Sequence, residues 1–127
     1  MHPLVQLSLI GLAGAAGTLL RVGCTGLATR LLGPGFPWGT LAVNVAGSFA
    51  FGAIMGWVRS RDALPGDVEK VLLLGLLGGF TTYSSYAFQS LELVEGGRPL
   101  EAAGYILGTN LLTLAAAWAG LRAFAGA

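Results

Sequence analysis

The chain has 127 residues, a formal net charge of +1, 54% hydrophobic residues and only 10% charged ones. An ordinary soluble domain carries about 25% charged residues, and Met1 to Arg61 contain no Asp or Glu at all, so a soluble enzyme is excluded. The near-neutral balance also leaves no electrostatic footprint for nucleic acid, and the length fits one domain over residues 1–127.

A membrane helix needs roughly 20 apolar residues. Four segments meet that length, at residues 4–32, 39–58, 71–94 and 102–124. They predict an all-α membrane protein. The connections are 33–37 (Gly-Pro-Gly-Phe-Pro), 59–70 and 95–101, each rich in Gly, Pro or charge as turn chemistry requires. The first segment lacks a basic leader region, and its apolar run continues towards Arg21 without a cleavage site. It is expected to stay in the mature protein. His2 and the lone Cys24 carry no site: one cysteine makes neither an internal disulfide nor a metal centre.

Four spans put both ends of the chain on one side. Arg59, Arg61, Lys70 and Arg122 fall there; Arg21, Arg30 and Arg98 fall towards the other. Basic residues normally fix orientation, and four against three is almost no bias. Either something else orients the chain, or it inserts both ways up. In the second case an inverted pair forms an antiparallel dimer. Gly11, Gly14 and Gly17 share a stripe, and Gly52/Gly56 and Gly104/Gly108 are GxxxG pairs. Such spacing lets helices approach closely in lipid.

The third segment contains Gly78-Gly79-Phe80-Thr81-Thr82-Tyr83-Ser84-Ser85-Tyr86. Adjacent glycines followed by hydroxyls interleaved with aromatics make a poor plain helix. Irregular backbone at membrane depth survives only where protein, an ion or a water-filled path satisfies it, and broken helices recur at ion sites in transporters. A break is therefore expected here, and with it an ion-handling protein.

The other polar groups in the spans are few. Asn44 either makes an interhelical hydrogen bond, worth about 0.6 kcal/mol in membranes, or donates its amide to an anion. Tyr105, Thr109 and Thr113 recur every four residues, which puts them on one helix face. They form a hydroxyl ladder able to replace water around an ion, unless the threonines bond back to their own helix carbonyls. Asn110 lies beside the ladder. Arg21 is the one charge deep within a span's sequence, read as a vestibule charge that attracts anions in preference to a snorkelling side chain. No carboxylate lies in the first two spans or the centres of the others. That favours an anion over a cation or coupled protons. Aromatic ring edges are electropositive and serve an anion too.

These residues resemble the small dual-topology fluoride channels of bacteria, the Fluc or CrcB family. The likeness rests on residues 14–21 (Gly-Ala-Ala-Gly-Thr-Leu-Leu-Arg), 39–44 (Gly-Thr-Leu-Ala-Val-Asn) and 78–86, with the Tyr105/Thr109/Thr113 spacing. The resemblance implies an antiparallel homodimer in the bacterial cytoplasmic membrane, with two pores lined by both subunits. Fluoride would pass Asn44, two aromatic rings and the hydroxyl ladder. A structural sodium ion, not transported, would sit on the dimer axis, held by the backbone carbonyls of Gly78 and Thr81. Ser84 and Ser85 match the family's hydroxyl pair, lining the pore or capping the second half-helix. The chain departs from the family at the pore rings, typically Phe and here Tyr83 and Tyr86, and at Gln89, often acidic in the family. The rival reading is a small dual-topology coupled efflux transporter. It would need a carboxylate in the first helix, and residues 1–58 have none.

Overall fold

The computed structural model describes residues 1–62 and 64–126. Their regular structure is all helical. Helix α1 spans Pro3–Leu32, α2 Trp38–Arg61, α3 Gly66–Lys70, a π-helical stretch Val71–Leu77, α4 Gly78–Phe80, α5 Tyr83–Glu95 and α6 Pro99–Phe124. Four runs are long and apolar enough to cross a membrane: Pro3–Leu32, Trp38–Arg61, Gly66–Glu95 and Pro99–Phe124. The protein is a multi-pass membrane protein.

The helices outrun the apolar segments read from sequence, most clearly where the third begins at Gly66 and not at 71. Hydropathy finds the membrane-depth part of a helix, whereas helical hydrogen bonding continues into the charged turn around Asp67 and Glu69. Local chemistry explains the ends. Pro3 and Pro99 occupy first turns, where a missing N–H costs nothing. Gly33 closes α1 at φ 80°, a conformation that glycine adopts without strain.

Packing is by close backbone approach. A Cβ at Gly17 would lie 2.1 Å from the Leu76 carbonyl oxygen, and one at Gly79 would lie 2.3 Å from the Gly14 carbonyl oxygen. Those contacts seat α1 on the π-helical stretch and α4. Gly52 and Gly56 meet the carbonyls of Ala117 and Leu121 in the same way, and Gly120 meets that of Phe49, so α2 and α6 pack backbone to backbone. Lipid gives no hydrophobic drive between helices, so dispersion at such short range does the holding. The two GxxxG pairs differ: a methyl added at Gly104 or Gly108 would meet open space, as would one at Gly11. Leucines such as Leu19, Leu31 and Leu114 face outwards, as lipid-facing positions should.

The two ends of the bundle are tied by polar clips. The Met1 ammonium lies 3.2 Å from Asp67, and Gln6 Nε2 donates to the same carboxylate at 2.8 Å. At the opposite end, Arg98 donates to the Gly35 carbonyl and pairs with Glu101.

Gly52→Val is expected to force α2 and α6 apart, because the first new carbon already collides with backbone that cannot rotate away. The cost is at least about 1–3 kcal/mol. Gly11→Ala meets open space and should be tolerated. Thermal unfolding in detergent and monodisperse yield check both. Equal stability of the two variants would contradict this packing.

Candidate functional site

The site is built around two extended residues inside the third span. Thr81 has φ −89° and ψ 156°, and Thr82 has φ −149° and ψ 116°. They lie between α4, which ends at Phe80, and α5, which begins at Tyr83. Each polar group released there meets an identifiable partner or is left open.

Asn44, buried on α2, meets Thr82 at two points. Its Oδ1 accepts the Thr82 N–H at 2.8 Å and its Nδ2 donates to the Thr82 carbonyl at 3.0 Å. The side-chain amide thus mimics a neighbouring peptide. Thr82 Oγ1 accepts from the Ser85 N–H at 3.3 Å and donates to Ser85 Oγ at 3.0 Å, so it caps α5. Thr81 donates through both N and Oγ1 to the Leu77 carbonyl. Arg21 Nε donates to the Gly79 carbonyl at 3.0 Å. Its positive charge stands at the C-terminal end of the preceding helix, where the helix dipole favours it.

Gly78 and Thr81 are among the carbonyls that lose their helical donors in this arrangement. In an unbroken helix Gly78 would receive the Thr82 N–H, which goes to Asn44. Thr81 would receive the Ser85 N–H, which goes to Thr82 Oγ1. Neutral carbonyl oxygens without donors are the ligand type that suits a hard monovalent cation, so the residues present fit such an ion. Among the described residues no cluster of His, Cys, Asp or Glu offers a metal centre.

A groove of about 380 Å³ opens beside the extended residues. It brings together Asn44, Tyr83, Tyr86, Thr109 and Thr113, along with Gly78 and Thr81. No carboxylate lines it. The Tyr83 and Tyr86 rings lie 5.3 Å apart at 66°, an edge-to-face pair, with Tyr83 largely exposed and Tyr86 buried.

The hydroxyl ladder is not uniform. Thr113 Oγ1 donates to the Thr109 carbonyl at 2.7 Å, so its proton is spent on its own helix. Tyr105 is buried off the groove, and its hydroxyl donates to Gln89 Oε1 at 3.0 Å. Thr109 alone has a buried Oγ1 without a partner. Ser84, Ser85 and Arg21 also lie off the groove lining. Sequence reasoning gave no role to Thr82 or to the Gln89–Tyr105 bond. Thr82 carried a signal, a hydroxyl three residues before Ser85, which is capping spacing. The pairing of Gln89 with Tyr105 across two helices had none.

A family model described as CrcB-like protein, Camphor Resistance (CrcB), matches residues 8–121. The chain belongs to the CrcB family. Among its relatives, a protein of Nitratidesulfovibrio vulgaris (strain Miyazaki F) is 47% identical over 116 residues, covering 91% of this chain and 94% of the relative. One of Anaeromyxobacter dehalogenans (strain 2CP-1) is 47% identical, covering 91% and 92%. One of Rhizobium etli (strain CFN 42) is 39% identical over 118 residues, covering 93% and 94%. Each of these relatives is named fluoride-specific ion channel FluC. The CrcB match takes in Arg21, Asn44, the extended residues and the whole α6 ladder.

Asn44→Ala should cost about 1–3 kcal/mol, because it leaves the Thr82 N–H without its acceptor and takes one donor from the Thr82 carbonyl in a dry setting. Asn44→Asp keeps the acceptor for the Thr82 N–H and loses the donor, so it should fall between. Thermal unfolding of the purified variants checks the order. An Asn44→Ala protein as stable as the parent would remove the clamp.

Proposed function

We propose that this chain forms a fluoride-selective channel that lets cytoplasmic fluoride leave passively down its electrochemical gradient. The observation that carries the reading is Thr109. Its hydroxyl is buried and without a partner, and the residue lines a groove shared with Asn44 and two aromatic rings. A buried hydroxyl without a partner is costly, and a small anion in the groove gives it one. Membership of the CrcB family and the names of its relatives support the same reading.

The chemistry is exchange of hydration for fixed donors. Fluoride gives up water and meets the Thr109 hydroxyl and the electropositive edges of Tyr83 and Tyr86. Asn44 spends one amide proton on Thr82 and has a second for the ion. Hydrogen fluoride enters cells as the neutral acid and ionises inside. An exit for the anion alone prevents accumulation and confers resistance. No covalent step is involved, and the protein is not an enzyme.

The working unit is an antiparallel homodimer in the bacterial cytoplasmic membrane. Gly78, Tyr83 and Ser84 are exposed on the single chain beside the extended residues. Lipid cannot satisfy backbone at that depth, so a second copy covers it. The balanced basic residues allow both orientations. Gly78 and Thr81 carbonyls from each copy would hold a structural sodium ion, whose charge supplies what their lost N–H donors no longer give.

Liposomes containing the pure protein should release fluoride rapidly under an imposed potential and chloride hardly at all. Thr109→Val, which keeps the shape and removes the donor, should slow fluoride release roughly tenfold. Equal release of both anions would overturn selectivity, and an unaffected Thr109→Val would remove Thr109 from the path. Replacing sodium by a large organic cation should weaken the dimer. Dimer dissociation measured at graded dilution in membranes tests this, and a dimer indifferent to sodium would refute the ion's structural role.

A further inference from the structure

Asn110 Nδ2 lies 2.8 Å from the Ile106 carbonyl oxygen and 3.0 Å from the Tyr86 hydroxyl oxygen. A carbonyl only accepts, so the atom beside Ile106 is the amide nitrogen and not the amide oxygen. An amide nitrogen only donates. The Tyr86 oxygen is therefore the acceptor, and its own proton is directed away from Asn110.

That proton has no acceptor among the hydrogen bonds of the described residues, although Tyr86 is only 6% exposed. Tyr86 lines the same groove as Thr109. The two hydroxyls are not bonded to each other, because Thr109 Oγ1 has no partner at all. The groove is thus lined by two residues whose hydroxyl protons are uncommitted among the described residues. A lone pair of Tyr86 is already engaged by Asn110, so the pair is arranged to donate. Such a pair can donate to a small anion.

We propose that Tyr86 serves the permeating anion through its hydroxyl proton, aimed by Asn110, and that this proton and the Thr109 hydroxyl form a two-point donor site for fluoride. Asn110 is the positioning residue: it acts on the ion only through Tyr86. The inference rests on the fluoride reading of the groove and deepens it. The second tyrosine is then not merely a tolerated aromatic ring. It is a donor that a phenylalanine at the same position would lack.

The test uses the full-length protein in liposomes, with potassium fluoride as the probe. Infrared difference spectra with and without fluoride read the tyrosine C–O stretch, which responds when the hydroxyl becomes a donor. A fluoride-dependent change that disappears in Tyr86→Phe is expected. The fluoride concentration for half-maximal efflux should rise roughly tenfold in Tyr86→Phe and by a similar factor in Asn110→Leu. The double variant should be no worse than Tyr86→Phe, because Asn110 has nothing left to aim. Independent, multiplying effects would overturn the positioning role, as would a Tyr86→Phe protein with unchanged half-saturation. If Asn110→Leu does not assemble, Tyr86→Phe, which removes a single oxygen, and the spectra still decide the donor. A parent protein that conducts fluoride without any Tyr86 band keeps the channel and overturns this site. One that shows the band without conducting keeps the site and overturns the channel.

Discussion

A bilayer offers no hydrogen-bond partner to a peptide group, and the third span contains two residues in extended conformation. Everything polar around Thr81 and Thr82 answers that constraint. Asn44 takes both groups of the Thr82 peptide unit. Arg21 covers the Gly79 carbonyl, and Thr82 caps the helix that follows. The Thr82 N–H goes to Asn44 and the Ser85 N–H to Thr82, which leaves the Gly78 and Thr81 carbonyls without their helical donors.

Holding those partners in place requires helices that approach more closely than side chains allow. The contacts of Gly52 and Gly56 with α6 set α2 beside α6, which makes Asn44 and Thr109 two walls of one groove. The contacts of Gly17 and Gly79 bring α1 against the third span and so put Arg21 within reach of a backbone carbonyl. Small residues here position chemistry, and their effect is felt several residues away from where they sit.

The groove also separates hydroxyls that look alike. Thr113 and Tyr105 have donated their protons within the protein, to a helix carbonyl and to Gln89. Thr109 and Tyr86 have not, within the described residues. For an ion that must be offered protons weakly enough to leave again, the number of uncommitted donors matters more than the number of polar side chains.

Composition alone determined the four spans, because a run of roughly 20 apolar residues has few other uses. The irregular chemistry of residues 78–86 and the motifs shared with the CrcB family were equally plain in the sequence, since both lie in short contiguous stretches. Helix ends were less legible: Asp67 and Glu69 hide a turn of helix from any hydropathy reading. The clamp of Asn44 on Thr82, the Arg21 cap and the sorting of hydroxyls into spent and unspent belong to the tertiary structure. The Asn44 and Arg21 bonds link residues 38 and 58 positions apart. Whether a hydroxyl is free depends on which acceptor the packed helices bring within about 3 Å. Residue type lists what a side chain could donate, and only packing decides where each proton goes.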